Sequence, residues 1–316
     1  MGLLLVMAAA SLWATVGVAT QLVPEAAAVP AEAMGLARMI LAGPLLLGVA
    51  FLRSPRSALR LGRLMPLPLL QFALSSAVFQ VCLFRCFALL GVTLAVFLTV
   101  CLPPVLAMLW ALARGRSVMT SASLAAFVLA TAGLLVISGA AFGGSAPAAT
   151  PAGLSSALLA SVAFVSMSLA ARRLAERSPP ILVAGTGLLA SGLVILAMMA
   201  LTAPSSLPVL TASLQSPPLL CLFAYLSVGP TALAYICYCR GIAACSSACA
   251  GLVASMIEPA VAALLAMWLL HETLTPTTCL GCALLAVAMV VLWWGDQRSR
   301  RAYPIARVLA PPAGAS

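Results

Sequence analysis

Long apolar blocks, separated by short polar or turn-rich breaks, make up most of this chain. Residues 118–171 and 178–239 contain no Asp, Glu, Lys or Arg, and each stretch is long enough to cross a bilayer twice at about 20 residues per crossing. Breaks at charges and at clusters of Pro, Gly and Ser divide the chain into ten predicted spans. They lie near residues 2–22, 33–51, 64–89, 91–113, 120–141, 152–171, 181–202, 218–239, 246–270 and 276–294.

The composition fits a protein whose main solvent is lipid. Of the 316 residues, 64% are hydrophobic and only 7% are charged, and the mean hydropathy is +1.19. Soluble domains carry about 25% charged residues, so a soluble class is excluded. We therefore predict an all-α integral membrane protein of about ten transmembrane helices, with the lipid bilayer as its surroundings.

The distribution of the basic residues predicts the orientation. A net charge of +10 would suggest nucleic acid in a soluble protein, but here the basic residues, all of them Arg, fall mainly after the second, fourth, sixth, eighth and tenth spans. The positive-inside rule places these breaks and both termini in the cytoplasm. We expect a multi-pass protein of a bacterial-type inner membrane and no nucleic-acid partner.

The chain repeats itself at an offset of 155 residues. Arg85 matches Arg240 and Pro104 matches Pro259 at this offset, and Arg and Pro are rare inside membrane spans. We predict a five-helix repeat at 1–142, an exterior linker at 143–151, a second repeat at 152–295 and a disordered basic cytoplasmic tail at 296–316. Five helices per repeat place the two copies in opposite orientations, which is the architecture of an inverted repeat.

Short motifs in the second half resemble a known family. Tyr235 is followed by Ile257-Glu258-Pro259, by Trp268-Leu-Leu-His-Glu272 and by Gly281. This order resembles the EamA repeat of the drug/metabolite transporter superfamily. In the first half Trp13, Arg38, Ala88-Leu89 and Pro103-Pro104 fall where the repeat would place them.

The two halves differ at their carboxylates. The first half has Arg116-Ser117 where the second has a terminal Glu, and Pro103 stands where the second half has Glu258. Any role of those carboxylates therefore belongs to one half only.

Glu258 is the leading candidate for coupling transport to a proton or a cation. It lies near the middle of its predicted span, roughly 18 Å from either end at about 1.5 Å per residue, where an ionised carboxylate costs about 2.5–3.5 kcal/mol on insertion scales. Pro259 removes a backbone hydrogen bond and should kink the helix there. A structural, hydrogen-bonded Glu at a proline kink is the alternative.

A polar and aromatic cavity wall is predicted from the repeat. Gln80 and Tyr235 occupy equivalent positions, close to the paired Arg85 and Arg240. With Trp13, Thr99 and Tyr225, the residues Gln80, Arg85 and Tyr235 complete our predicted substrate-binding set. Interhelical hydrogen bonds and aromatic packing are the structural alternatives.

Arg38 and Arg85 are the two Arg that the topology places in the exterior half of the membrane. Arg38 is our candidate contact for an anionic substrate, since a guanidinium pairs with carboxylate or phosphate in a bidentate manner. Snorkelling of these side chains to the outer headgroups is the other explanation.

We predict a secondary transporter, with export implied by the resemblance, that moves a small metabolite, amino acid or drug-like compound by alternating access. No P-loop motif occurs in the sequence, so we expect an ion gradient or exchange to drive it. No enzyme activity, cofactor or metal site is expected, and a homodimer is left open. The rival function is a membrane thiol oxidoreductase that uses Cys279 and Cys282, which have the spacing of a redox motif.

The orientation can be tested by labelling. The segments around Arg56 and Arg172 should be cytoplasmic, whereas residues near Ala146 and Ser213 should be exterior. A Cys introduced at each position should react with a membrane-impermeant maleimide in intact cells only at 146 and 213. The unsubstituted chain measures the background from native cysteines, and labelling at position 56 before lysis would contradict the orientation.

Overall fold

The part of the chain that the structure describes forms ten long helices. The computed structural model describes residues 1–53, 65–90, 92–113, 120–141, 150–245, 248–269 and 276–302, and this part of the chain contains no strand. The helices are α1 (Gly2–Gln21), α2 (Ala31–Arg53), α3 (Pro66–Leu90), α4 (Val92–Ala113), α5 (Ser121–Ala141), α6 (Pro151–Ala175), α7 (Pro180–Thr202), α8 (Pro217–Ala244), α9 (Ala248–Leu269) and α10 (Pro276–Ala302). The predicted all-α, ten-helix fold is confirmed.

Eight of these helices are long and apolar enough to cross a membrane, by length and composition, and α4 and α5 contain shorter apolar stretches at Leu98–Trp110 and Ser121–Val136. Large apolar side chains also cover the outside of the bundle, with Leu52 88%, Leu67 77% and Trp268 72% exposed. Extensive apolar exposure of this kind marks a membrane-facing surface.

Proline marks where several helices begin. Helices α3, α6, α7, α8 and α10 all start at a Pro residue, because the first helical position needs no N–H and the fixed φ of proline suits it. At α6 the hydroxyl of Thr150 also accepts a hydrogen bond from the Gly153 N–H at 3.1 Å. A short helix, Ser206–Ser213, and a 3-10 turn, Pro24–Ala28, lie in two of the connections.

Two helices are interrupted in the middle of the bundle. Helix α8 passes through a π-helical segment at Val228–Leu233, and α9 passes through a 3-10 segment at Ser255–Ile257 just before Pro259. The 3-10 segment directly precedes Pro259, the residue at which a kink was predicted. The π segment of α8 was not predicted.

The start of the tail was predicted wrongly. Helix α10 continues to Ala302, so residues 296–302 are helical instead of disordered. The guanidinium of Arg298 lies over the ring of Trp294, at 5.4 Å from its centroid, a cation–π contact that favours continuation of the helix past the apolar span. The segment 303–316, linker residues 143–149, and the predicted cytoplasmic residues Arg56, Arg60, Arg63, Arg114 and Arg116 lie outside the described residues.

Equivalent helices of the two halves pack antiparallel. Gly43 of α2 packs on Leu189 of α7, and Gly192 of α7 packs on Ile40 of α2. Gly43 stands three residues after Ile40, and Gly192 three residues after Leu189. The contact is therefore two-fold symmetric, as a symmetry axis crossing the pair requires.

The other major pairs follow the same symmetry. Gly2 at the start of α1 packs on Ala244 at the end of α8, and Gly153 near the start of α6 packs on Leu90 at the end of α3. Helices α5 and α10, also equivalent, run antiparallel as well, because Gly133 opposes Gly281 whereas Gly295 opposes Ala122. The two five-helix halves thus have opposite orientations, which confirms the inverted repeat.

The α2–α7 contact should be intolerant of a single methyl group. A Cβ at Gly43 would lie 2.7 Å from the backbone nitrogen of Leu189, so Gly43→Ala should lower the stability by about 1–3 kcal/mol through overpacking. Gly48→Ala on the same helix is the matched control, since a Cβ there meets nothing within 4 Å. Thermal unfolding of the purified variants gives the Tm of each. Equal Tm values for Gly43→Ala and Gly48→Ala would contradict the close contact.

Candidate functional site

A cavity of about 330 Å³ lies between the two halves of the bundle. Residues of α1, α2, α3, α4, α6, α8 and α9 line it. It extends to Gln21, an exposed residue at the C-terminal end of α1. The cavity therefore reaches one end of the bundle, and its volume is at the lower end of the range for small-molecule sites, about 300–1,000 Å³.

Aromatic rings form the floor of the cavity. The Trp13 ring lies 6.1 Å from Phe164, 5.8 Å from Tyr235 and 5.1 Å from Tyr238, measured between centroids. Gly2 and Gly153 make equivalent close contacts in the two halves. Trp13 stands eleven residues after Gly2, and Phe164 stands eleven residues after Gly153, so the two rings are symmetry equivalents. The two-fold axis therefore passes close to these rings.

Arg38 is held in place by the π-helical segment of α8. Its Nε donates to Thr231 Oγ1 at 3.0 Å, and the Thr231 hydroxyl donates in turn to the Leu226 carbonyl at 2.7 Å. That carbonyl needs a new donor because Pro230, four residues later, has no N–H. The break in α8 thus frees the carbonyl that orients Thr231, and Thr231 orients Arg38.

The break in α9 positions Glu258. Pro259 cannot donate to the carbonyl of Ser255, which accepts from the Glu258 N–H in a 3-10 bond instead. Glu258, Pro259 and Ser255 all line the cavity. The tighter turn therefore satisfies the backbone and places a carboxylate on the cavity wall.

Arg38 and Glu258 both line the cavity, and no ion pair joins them. Within the described part of the chain the only ion pair joins Arg172 to Glu176, at 3.1 Å. Arg38 is only 5% exposed, and a charge this deeply buried needs a partner. The cavity wall therefore carries one cation and one anion that do not form an ion pair with each other.

Unpaired polar atoms also lie at the cavity. Gln80 lines it and is 3% exposed, yet its Oε1 has no hydrogen-bond partner among the described residues. Thr99 lines the cavity too, and its hydroxyl donates to the Ala95 carbonyl at 2.7 Å. A buried acceptor without a donor costs about 1–3 kcal/mol, which a bound solute or water would offset.

The other end of the bundle is closed by polar and aromatic packing. Ser168 and Tyr238 share a hydrogen bond of 2.5 Å across α6 and α8. Ser166 of α6 bonds to Ser75 at 2.8 Å and to Gln71 at 3.1 Å, both on α3. These contacts join α3, α6 and α8 in the half of the bundle that lies beyond the aromatic floor.

The structure places most of the predicted site residues together. The cavity is lined by Trp13, Gln80, Thr99, Tyr235, Glu258 and Arg38. Arg85 and Tyr225 are not part of the lining; Arg85 is exposed, and the 45% exposed Tyr225 donates to Thr15 at 2.8 Å. Helical phase explains the difference, because Arg85 is five residues after Gln80 and so points to another face of α3.

Sequence reasoning missed Phe164 and Thr231. Phe164 had a usable signal, since it is the repeat equivalent of Trp13. Thr231 had a weaker one: it directly follows Pro230 in an apolar span, where a hydroxyl can satisfy a freed carbonyl. Cys279 and Cys282 of α10 are free thiols that do not line the cavity.

Family comparison agrees with this architecture. The model of the EamA-like transporter family matches residues 1–139 and 151–294. The chain belongs to the EamA-like transporter family. It is therefore a multi-pass membrane transporter, and the two matched segments correspond to the two halves of the bundle.

The crystal structure of one other protein has the same fold as this EamA-like chain. It superposes with a TM-score of 0.76 and covers 94% of this chain and 98% of its own, at 21% identity. A search of curated proteins finds no match. The fold is thus shared with a protein of known structure, whereas the substrate has to be inferred from the site.

Thr231 gives a test of the Arg38 arrangement. Thr231→Val keeps the shape but leaves Arg38 Nε and the Leu226 carbonyl unpaired, so stability should fall by about 1–3 kcal/mol for each group. Thr231→Ser keeps the hydroxyl and is the matched control. In thermal unfolding, the wild type and Thr231→Ser should have similar Tm values, both higher than the Tm of Thr231→Val. Equal Tm values for the two variants would contradict the hydrogen-bond pair.

Proposed function

We propose that this EamA-like transporter is a secondary transporter that exports a small solute across a bacterial-type inner membrane by alternating access. The observation that carries the proposal is a central cavity that reaches one end of an inverted-repeat bundle and is closed toward the other. Such a bundle can present the same site to either side by exchanging the conformations of its halves.

The symmetry supplies a physical route for this exchange. Thr15 and Ser166 are equivalents, each thirteen residues after its packed glycine, Gly2 or Gly153. Across to α8, Thr15 accepts one exposed bond, from Tyr225, whereas Ser166 makes the part-buried bonds to α3. In the opposite state the α1–α8 side would take the closed arrangement and the α3–α6 side the open one.

The predicted orientation makes the cavity face outward. With both termini in the cytoplasm, the C-terminal end of α1 lies at the exterior, so Gln21 and the cavity mouth lie there as well. The outward direction of net transport rests on the family resemblance, and the orientation is tested by the labelling described above.

Glu258 is the proposed coupling residue. It is the only carboxylate that lines the cavity in the described chain, and its first-half equivalent is Pro103. A carboxylate on a cavity wall within the membrane can take up a proton when it faces one side and release it when it faces the other. One such group gives at most one proton per cycle.

Glu258→Gln should uncouple transport. The amide keeps the shape but cannot titrate, so transport driven by a pH gradient in proteoliposomes should be abolished while binding or exchange survives. The assay uses a substrate found by thermal-shift screening of metabolite classes, since ligands that bind only the folded state raise Tm. Glu25→Gln, at an exposed position, is the control. Gradient-driven transport at the wild-type rate in Glu258→Gln would rule out this role.

Substitutions in the cavity wall test its role in ligand binding, and Tyr225, which lies outside the cavity, is the control for Tyr235. Gln80→Ala and Tyr235→Phe should each weaken binding of the screened ligand about tenfold, the cost of one lost hydrogen bond to a ligand. Tyr225→Phe removes the same hydroxyl from a tyrosine outside the cavity and should bind normally. Titration of the purified proteins measures all three, and normal binding by Gln80→Ala and Tyr235→Phe would assign both residues to helix packing.

A further inference from the structure

We propose that Arg172 destabilises the closed cytoplasmic end of the bundle and so drives the transporter back to its cytoplasm-open state. Arg172 then sets the balance between the two states of the proposed alternating access, on which this inference rests. Two observations carry it: the position of Arg172 in the repeat, and a buried nitrogen of its side chain that has no hydrogen-bond partner among the described residues.

Arg172 is the repeat equivalent of a residue at the cavity mouth. Gln21 stands nineteen residues after Gly2. Arg172 stands nineteen residues after Gly153, the equivalent of Gly2. Gln21 is exposed and lines the open cavity, whereas Arg172 lies at the closed end, next to the fully buried Ala171. When the halves exchange conformations, Arg172 should therefore take the exposed position that Gln21 has here.

The guanidinium of Arg172 is incompletely paired while the cytoplasmic end is closed. Its Nε donates to Glu176 Oε1 at 3.1 Å, but its Nη1 is buried and has no acceptor among the described residues. The two side chains are 23% and 51% exposed, and a partly exposed ion pair one helical turn apart contributes little to stability. A buried donor without an acceptor has the larger effect, so closure is unfavourable at Arg172.

The exterior end lacks this unfavourable group. Glu25 stands four residues after Gln21, the same spacing that separates Glu176 from Arg172. The carboxylate thus recurs at both ends, but the guanidinium occurs only at the cytoplasmic one. Opening of that end would hydrate Nη1 of Arg172, which shifts the population toward the cytoplasm-open state. An exporter loads its solute in that state.

A native thiol can report the cytoplasm-open state. Cys239 of α8 is fully buried. Its repeat equivalent, 155 residues earlier, is Phe84, which lines the open cavity. In the cytoplasm-open state Cys239 should therefore line the cavity and contact water. A water-soluble maleimide would then label Cys239 at a rate proportional to the population of that state.

The labelling rate of Cys239 in the purified full chain, measured by mass spectrometry, tests the role of Arg172. Arg172→Met keeps an unbranched side chain but removes the buried donor, so Cys239 should be labelled about tenfold more slowly. Arg173→Met removes the same charge from an exposed neighbour and should keep the wild-type rate. Cys279, an exposed thiol near the start of α10, should be labelled at one rate in every variant and serves as the internal reference.

The sign of the change distinguishes two roles of Arg172. If Arg172 held the closed end together, its loss would speed the labelling of Cys239, so faster or unchanged labelling in Arg172→Met would overturn the proposal. If Arg172→Met fails to fold, Arg172→Gln, which copies Gln21, takes its place with the same expected direction. Absence of Cys239 labelling in the wild type, with Cys279 fully labelled, would overturn alternating access itself, so the two failures are distinguishable.

Discussion

Backbone hydrogen bonds must be satisfied within the chain wherever it lies in hydrocarbon, and the site of this transporter depends on that constraint. Pro230 and Pro259 each leave a carbonyl without its helical donor. The Leu226 carbonyl is satisfied by the Thr231 hydroxyl, and the Ser255 carbonyl by a 3-10 bond from the Glu258 N–H. The first repair anchors Arg38, and the second begins the helical segment that carries Glu258. Both charged residues are thus held by the repair of a proline break.

The helix contacts between the two halves are symmetric, but the charged residues of the cavity are not. The glycine contacts between α2 and α7 are two-fold symmetric, and Trp13 and Phe164 meet near the axis. Arg38 and Glu258, the charged residues of the cavity wall, each occur in one half only. By the spacing that relates Gly43 to Gly192, the equivalent of Arg38 is Gly187. A Cβ at Gly187 would lie 2.5 Å from the ring of Phe72, so a side chain there would displace that ring.

The symmetric helix contacts and the asymmetric polar lining of the cavity have separate consequences. In the transport cycle proposed above, the symmetric contacts would allow the halves to exchange conformations at little cost, because each arrangement has an equivalent in the other half. The polar groups that line the cavity come from three different helices: Arg38 from α2, Gln80 from α3 and Glu258 from α9. A duplicated charge set would add a second buried cation and anion, each with its own desolvation penalty.

The sequence by itself determined the membrane class, the ten helices and the duplication, because these follow from long apolar runs and from Arg and Pro recurring at one offset. It also indicated Trp13, Arg38, Gln80, Thr99, Tyr235 and Glu258, since polar or aromatic residues are conspicuous in such spans. Only the tertiary structure decided that Arg85 and Tyr225 face away from the cavity, and that Thr231 and Phe164 belong to the site. The spacing of Arg85 from Gln80 shows that they lie on different faces of α3, but which face lines the cavity depends on contacts between segments far apart in the chain. The same holds for the contact of Phe164 with Trp13 and for the bond of Arg38 to Thr231.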